Sequence, residues 1–433
     1  MTAQIEAGPL ERVKRILHVI DERAGSRKLP LLSVSIHLGV IRRDSITNDL
    51  PRAEDLSNYK VCRPGDIVLN RMRAFQGAIG ISPEQGLVSP DYLVLRPTPA
   101  ADARYLHHLF RSSWFVGEMA ARLRGIGSSD QGNVRTPRIN AEDLGDISVR
   151  VMPLHEQRRI ADFLDAETAH IDHLLQLRSR QIDLHEEAAF RRVYDAVRGA
   201  DVEGERKDSA LGWLGSVPAP WRVGAVSHYY EVELGKMLNQ ERAQGSRLRP
   251  YLRVANVQWD RVDISDLATM DFPQEERSRY LLKAGDLLVN EGGSWPGRAA
   301  IWNGEIDEVY YQKALHRIRS RGTELPRWLY YCLVVAEQMR VFQVQGNTST
   351  MTHLTREQLR PQRFPFPHID TQRRIVERLD RAKARDSTIR RLLSQERSLL
   401  AERRQALITA AVTGQFDVST ASGRNVTDGV PAS

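Results

Sequence analysis

Short hydrophobic runs alternate with turn residues over the first 155 positions. Branched and aromatic residues at 31–36, 66–69 and 92–95 lie between glycine and proline turns, which predicts three strands. Residues 103–121 predict a helix, and Asn140 predicts the cap of a second, shorter one. The pattern predicts a mixed α/β domain.

The same order of elements returns in the second half of the chain. Strands are predicted at 251–254, 286–289 and 299–302, and a helix at 325–342. Thr355 and Gln358 are spaced as a capping box at the start of another short helix. Leu144 and Leu359 fall at equivalent places, so the second half repeats the first.

The repeat can be read directly in the letters of the sequence. Gln-Arg-Arg-Ile at 157–160 recurs at 372–375, and matches continue without a gap, 215 positions apart, to Gly199 and Gly414. Upstream, residues 63–70 match 283–290 at a separation of 220. The chain is therefore predicted to be two copies of one module, each a mixed domain followed by a helix.

Two long segments, 156–198 and 371–413, contain neither proline nor glycine. Each is rich in strong helix formers, which predicts a continuous helix of about 60 Å. The second carries a heptad seam of Leu379, Leu393, Leu400 and Leu407, interrupted by Asp386, Glu396 and Arg403. We expect the helices to pair with each other as an antiparallel coiled coil. Antiparallel pairing gives the two modules near-equivalent surroundings related by a pseudo-twofold axis.

These patterns divide the chain into five parts. We predict a first domain at 1–155, a spacer helix at 156–199, a linker and second domain at 200–370, a second spacer helix at 371–414, and a disordered tail at 415–433. The linker is expected at 200–212, where charged residues follow a glycine.

Composition narrows the function classes. With 433 residues and 49.2 kDa the chain is too large for one core, and its net charge of +7 favours a polyanionic partner. Cys62 and Cys332 form no CxxC pair or Cys/His cluster, so neither a disulfide framework nor a zinc site is expected. The sequence has no secretory leader and no apolar run long enough to span a bilayer, so we expect no membrane association and a cytoplasmic location.

Candidate DNA contacts lie in the polar loops of each module, where arginine can contact guanine, amides can contact adenine, and a carboxylate can accept from cytosine. In the first module they are Arg71, Arg73, Gln76, Arg124, Ser128 and Arg135. In the second they are Glu291, Ser294, Arg298, Lys313, Asn347 and Thr348. The alternative is that these are ordinary solvated surface hairpins, turns and caps.

Several phrases together resemble the specificity (S) subunit of type I DNA restriction-modification systems. They are GDIVLNRMR at 65–73, GLVSPDY at 86–92, HEQRRI at 155–160, GWLGSVPAPW at 212–221 and ALITAAVTG at 406–414. They occur in the family's order over about residues 10–418, with the family's internal duplication. The first module lacks the Trp-Leu-Gly-x-x-Pro-x-x-Trp phrase that opens the second, so this phrase does not mark where the first domain starts.

The resemblance implies two target recognition domains, each reading one half of a split sequence in double-stranded DNA. It also implies that the helices form a spacer docking two methyltransferase (M) subunits and, through them, motor-nuclease (R) subunits. The chain itself is then expected to have no catalytic site, metal or cofactor. S-adenosylmethionine, Mg²⁺ and ATP would belong to the partner subunits.

Two other classes of function are compatible with parts of the sequence. A DNA-modifying enzyme would be expected to carry an Asn/Asp-Pro-Pro-Phe/Tyr methyltransferase motif or a Gly-x-x-x-x-Gly-Lys-Ser/Thr loop, and the sequence has neither. A non-catalytic coiled-coil scaffold accounts for the helices but gives the two basic domains no role. Both alternatives explain less of the chain than DNA recognition does.

Overall fold

The computed structural model describes residues 8–36, 38–45, 55–123, 138–237, 243–244, 247–293, 295–344 and 353–418. Its helices are α1 Val13–Ile16, α2 Ala103–Arg111, α3 Ser113–Ala121, α4 Ala141–Gly145, α5 Leu154–Val197, α6 Val226–Tyr229, α7 Gln274–Tyr280, α8 Pro326–Gln338, α9 Val341–Val344, α10 Arg356–Leu359 and α11 Ile369–Val412. Short 3-10 turns lie at Arg43–Ser45, Ala74–Gln76 and Val254–Asn256.

The strands of the first half are β1 Leu10–Arg12, β2 Leu17–Ile20, β3 Leu32–Ser35, β4 Gly39–Arg42, β5 Lys60–Cys62, β6 Ile67–Asn70, β7 Ile79–Ile81, β8 Gly86–Val88, β9 Tyr92–Pro97 and β10 Ser148–Arg150. Those of the second half are β11 Arg206–Asp208, β12 Ser216–Pro218, β13 Arg222–Ala225, β14 Tyr230–Leu234, β15 Leu248–Leu252, β16 Val257–Gln258, β17 Arg261–Val262, β18 Ala268–Asp271, β19 Leu287–Asn290, β20 Ala299–Ile301, β21 Tyr310–Tyr311, β22 Leu315–Ser320 and β23 Arg363–Phe366.

The chain divides into two units. The first comprises residues 1–179 and 393–433, and the second comprises residues 180–392. Each long helix therefore contributes one part to each unit. The mixed α/β class predicted from the sequence is confirmed.

The central sheet of the first unit has four antiparallel strands in the order β2-β9-β6-β7. Side chains on a strand point alternately to the two faces of the sheet. Ile67 and Leu69 of β6 thus enter one core with α2, α3 and the long helices, while Val68 enters a second core with β3 and β4. Burial on both faces fixes the register of this strand.

The second unit repeats this sheet in the order β14-β22-β19-β20. Its strand β19 also places alternate residues in two cores, with Leu287 and Val289 on one face and Leu288 on the other. A further sheet, β18-β15-β21, lies in this unit alone among the described residues. The two units therefore share a scaffold and differ in what is added to it.

The duplication extends to single contacts. Arg96 donates to both oxygens of Asp66 at 2.8 Å, and Arg319 donates to both oxygens of Asp286. Each aspartate also accepts a 2.8 Å hydrogen bond from the backbone three residues earlier, at Arg63 or Lys283. The glycine directly before each aspartate, Gly65 or Gly285, has a positive φ. The repeated Gly-Asp pair is thus a turn with a buried ion pair.

The two long helices each span 44 residues, or about 65 Å at ~1.5 Å per residue. In the first unit, Arg404 of α11 binds Asp172 of α5 at 2.8 and 3.1 Å, and Arg178 binds Glu396 at 2.8 Å. Residue numbers that rise along α5 are paired with residue numbers that fall along α11. The predicted antiparallel pairing is confirmed in this unit.

The second unit has the same direction of pairing, through Arg192 with Asp386 and Glu186 with Arg390. The polar residues that interrupt the predicted seam are therefore used in part for ion pairs between the helices. Leu379, Leu393 and Leu407 of the seam are buried, at 2%, 8% and 6% exposure.

A buried glutamine near the start of each helix joins it to its domain. Gln157 accepts from the backbone N–H of Asp102 at 2.8 Å and donates to the carbonyl of Met152 at 2.8 Å. Gln372, 215 positions later, accepts from Leu325 and donates to Pro367, both at 3.0 Å. This equivalence accounts for the repeated Gln-Arg-Arg-Ile phrase.

Some local predictions were wrong in detail. The helix predicted at 103–121 is broken at Ser112, whose hydroxyl caps α3 by accepting from the N–H of Phe115. The helix predicted at 325–342 ends at Gln338, after which α9 begins. Within the linker predicted at 200–212, strand β11 pairs with β12. The capping box of Thr355 and Gln358 is confirmed.

Candidate nucleic-acid interface

The connection from β6 to β7 forms a tight loop on the surface of the first unit. Ala74 is fully buried and anchors one 3-10 turn, and Gly77 ends it with a φ of 88°, a conformation that favours glycine. Arg73 and Gln76 are exposed. Neither side chain makes a hydrogen bond or ion pair within the described part of the chain. Both are available to an external ligand.

Arg71 has a different environment from its neighbours in the loop. Its Nε donates to the carbonyl of Ile139 at 2.9 Å, and its Nη2 donates to Asn140 Oδ1. Burial lowers the pKa of the Arg71 guanidinium, and Arg138 lowers it further. Asn140 consequently does not cap α4 with its side chain. Arg71 thus fastens the loop to the segment before α4.

Positive charge gathers around Tyr92, at the start of β9. Its hydroxyl accepts a long hydrogen bond of 3.4 Å from Asn70. Burial raises the pKa of Tyr92, while Arg73 and Arg43 act in the opposite sense and Asp91 adds to the rise. Arg73 and Arg43 are therefore close enough to act on the same phenol. Together with Arg71 and Arg138 they make this end of the sheet favourable for a polyanion.

The equivalent loop of the second unit, between β19 and β20, presents other chemistry. Gly297 has a φ of 85°, as Gly77 does, so the backbone turn is retained. Trp295 is 56% exposed, and the Arg298 guanidinium lies 4.8 Å from its ring centre. Arg298 also donates to Gln258 Oε1. Burial lowers the pKa of this guanidinium.

Glu291 opens this second loop and is half-buried. Burial raises the pKa of its carboxyl, and the neighbouring His353 and Lys313 oppose that rise. Its backbone is held on both sides, since its N–H donates to Ala314 at 2.9 Å and its carbonyl accepts from Leu354 at 2.7 Å. The Lys313 side chain is exposed. The carboxyl of Glu291 and the amine of Lys313 therefore interact electrostatically.

The structure brings Arg71, Arg73 and Gln76 together on one loop and places Glu291 and Arg298 on the equivalent one, while Lys313 lies between β21 and β22. The other candidates lie outside the described residues: Arg124, Ser128, Arg135, Ser294, Asn347 and Thr348.

Sequence reasoning missed Arg43, Arg138 and Trp295 as members of these surfaces. Trp295 could have been selected, because an exposed tryptophan in a glycine-rich loop is a common contact residue. Arg43 and Arg138 could not have been selected from the sequence, because only the fold brings Arg43 close to β9 and Arg138 close to Arg71.

The described residues contain no cluster of three or more His, Cys, Asp or Glu side chains placed to hold a metal ion. None of the described helices is long and apolar enough to cross a bilayer.

The two units thus carry chemically different polar loops on one repeated scaffold. Comparison with known proteins specifies the class of protein. Residues 218–395 match the family described as "Type I restriction modification DNA specificity domain". The type I restriction enzyme EcoKI specificity subunit of Escherichia coli strain K12 is 23% identical over 399 residues, covering 88% of this chain and 82% of that protein.

Solved structures show the same fold. A chain from a study of complex assembly and conformational transition of the type I R-M system aligns with a TM-score of 0.72 at 19% identity, covering 95% of this chain and 99% of that one. The HsdS subunit from Thermoanaerobacter tengcongensis aligns with a TM-score of 0.50 at 19% identity, covering 95% of each chain. The family match, the curated relative and the solved structures together indicate a type I restriction-modification specificity subunit. Specificity subunits recognise DNA sequences and are not themselves catalysts.

Proposed function

We propose that each unit reads one half of a bipartite target in double-stranded DNA. The observation that carries the proposal is that equivalent loops on one scaffold have different chemistry. Arg71 and Glu291 stand at matching positions after the matching strands β6 and β19. A protein that reads one symmetric sequence twice would need the same side chains in both loops. Different side chains suit two dissimilar half-sequences.

In the first unit, Arg73 and Gln76 are the proposed base-contacting residues. Their side chains are exposed and uncommitted among the described residues, and their groups match the edges of guanine and adenine in the major groove. Arg71 supports them by holding the loop against Ile139 and Asn140. Its remaining donors point to a phosphate contact, which positions the protein but carries no sequence information.

In the second unit, Glu291 is the proposed acceptor for a cytosine amino group, and Lys313 the proposed phosphate contact. Trp295 and Arg298 form a stacked pair whose exposed indole can pack against sugar or base. We extend the proposal to residues in polar stretches of the sequence that lie outside the described residues: Arg124, Ser128, Arg135, Ser294, Asn347 and Thr348.

We assign the docking of M subunits to the outer faces of the long helices. Leu177 and Leu184 on α5 are 48% and 47% exposed, and Leu392 and Leu399 on α11 are 53% and 64% exposed. These leucines occupy equivalent positions, 215 residues apart, and each pair is spaced seven residues along one helix face. Exposed leucines repeated in this way favour two equivalent partners over a solvated surface.

The assembled complex would then contain two M subunits per chain, with R subunits joined through them. S-adenosylmethionine, Mg²⁺ and ATP are assigned to those partners, and the complex to the cytoplasm, where its DNA target lies. This chain determines the DNA sequence at which the M and R subunits act.

Sequencing of methylated bases in host DNA, with and without this gene, tests the proposal. The expected motif has two short dissimilar specified segments separated by unspecified bases. A single contiguous motif would contradict a division of reading between two units, and so would the absence of any motif that depends on the gene.

A further inference from the structure

A cavity of about 350 Å³ lies in the first unit, beside the contact of α2 with the long helices. The turn between β3 and β4 and the strand β7 form its other wall. Its lining includes Leu38, Gly80, His107, Arg111, Asp172 and Arg404. The volume is within the range of small-ligand sites. Neither surface proposed to read DNA contributes to it.

The cavity holds more donors than it has carboxylates to satisfy. Arg404 binds Asp172 with two hydrogen bonds, so that acid is already neutralised. Asp165 is likewise engaged, by His108 at 2.7 Å and by Arg104. Arg111 makes one hydrogen bond, to the carbonyl of Ile36 at 3.0 Å, and no ion pair with a described residue. Arg111 is thus a half-buried cation with no carboxylate partner within ion-pair distance among the described residues.

His107 supplies a second polar group that lacks a hydrogen-bond partner. Its Nδ1 is buried and has no hydrogen-bond partner among the residues that the structure describes. Buried polar groups are nearly always hydrogen-bonded, and each exception requires an explanation. Burial lowers the pKa of Arg111 and the nearby Arg404 lowers it further, with Asp172 opposing. Burial thus disfavours positive charge in the cavity, and both of its carboxylates are already paired with other residues.

The second unit shows what fills the equivalent place. There the hairpin of β16 and β17 packs on β20, as β3 and β4 pack on β7, and its turn residue is Asp260. The Asp260 carboxylate accepts from Arg327 and from Lys383. Lys383 also donates to the hydroxyl of Tyr330 at 2.7 Å.

Two residues of this network, Lys383 and Tyr330, correspond to residues that line the cavity. Lys383 is 215 positions after Thr168, a cavity residue. Tyr330 follows His107 by 223 positions, which is also the separation of the equivalent Arg96 and Arg319. The second unit therefore carries a carboxylate of its own where the first unit has a cavity beside unpaired donors.

We propose that this cavity binds a small oxyanion, the carboxylate or phosphate group of a free ligand, through Arg111 and His107. The ligand takes the place that the Asp260 side chain takes in the second unit. Because α2 and both long helices line the site, its occupancy stabilises the packing of the first domain on its helices. A charge-assisted bond to Arg111 supplies the partner that the guanidinium lacks.

Isothermal titration calorimetry of the full chain tests the site, with succinate and inorganic phosphate as separate probes at constant ionic strength. One saturable site per chain for either probe is expected, and the probe that binds identifies the ligand class. Arg111→Gln should weaken binding at least tenfold. Arg122→Gln, which removes one positive charge from the same unit outside the cavity, should leave it unchanged.

A second variant guards against misfolding of Arg111→Gln. Leu38 is 69% exposed at the cavity wall, so Leu38→Asp adds a carboxylate with little cost to packing. It should lower the affinity for the probe by competing for Arg111. The proposal is overturned if neither probe shows saturable binding, or if Arg122→Gln reduces the affinity as much as Arg111→Gln does.

Discussion

Arg96 holds Asp66 with two hydrogen bonds of 2.8 Å at the start of β6, the strand whose other end leads into the loop that carries Arg73. Asp66 is 1% exposed, while the Arg96 side chain retains 34% exposure. We expect Asp66→Ala to destabilise the first unit by about 2 kcal/mol, since it removes the acceptor of the guanidinium and of the Arg63 N–H. Urea unfolding monitored for each unit measures this.

Asp286→Ala is the matched change, because Arg319 and Lys283 contact Asp286 in the same way. It should lower the stability of the second unit and leave the first unchanged. An effect of either substitution on both units equally would contradict the independence of the two scaffolds.

The stability of the second unit should fall in weak acid because of His316. This residue is fully buried, and burial lowers its pKa to about 4 although its Nε2 donates to the Leu354 carbonyl at 2.7 Å. The unfolded chain takes up this proton near pH 6.5, whereas the folded chain does so only near pH 4. Stability is therefore lost as pH falls from about 6.5 to about 4, by up to about 3 kcal/mol from this group.

His316→Gln should flatten that part of the pH profile in urea unfolding, since glutamine keeps a donor and cannot be protonated in this range. His368→Gln is the control, because the His368 side chain is 77% exposed. An unchanged slope in His316→Gln, relative to the parent, would show that other groups control acid stability.

The two proposed kinds of DNA contact should give different signatures. Arg73→Ala should cost about 1 to 3 kcal/mol of binding and relax the sequence preference in one half only. Lys313→Ala should weaken all sequences alike and reduce the salt dependence of binding by about one phosphate contact. Binding of the assembled complex to target and scrambled duplexes, over a range of salt, separates them.

Arg71→Ala should combine a loss of binding with a loss of stability, because Arg71 fastens the loop to Ile139 and Asn140. If Arg73→Ala weakened target and scrambled DNA by the same factor, Arg73 would be a phosphate contact and not a reader of bases.

Substitution of the exposed leucines on the long helices is expected to change the number of bound M subunits. Leu177→Lys with Leu184→Lys should remove one M subunit and leave one per chain, because the α11 pair is intact. Adding Leu392→Lys and Leu399→Lys should remove both. Native mass measurement of the co-purified complex counts the subunits. Leu10→Lys, at a leucine that is 65% exposed on β1, is the control for added surface charge.

Regular patterns in the sequence predicted the long helices and their antiparallel pairing, because a proline-free and glycine-free segment with a heptad seam has few other solutions. The matching strands β6 and β19 were also readable, since a short apolar run follows a Gly-Asp turn in each copy. These features depend on local residue order, and the duplication supplied an internal check.

Contacts between residues that are far apart in the sequence could not be predicted from it. Arg71 is predicted to contact DNA, and its hydrogen bond to Asn140, 69 positions away, had no signal in the sequence. The break at Ser112 was missed because its hydroxyl competes with the helix through one local capping bond. Asp260 gave no signal in the sequence, since its partners Arg327 and Lys383 reach it only after folding.

Exchange of residues 213–369 for the second domain of another family member tests the central claim most directly. The methylated motif in host DNA, determined by sequencing before and after the exchange, is the measurement. We predict that one half of the motif changes while the other half is unchanged. A motif altered in both halves, or in neither, would contradict the assignment of one half-sequence to each unit.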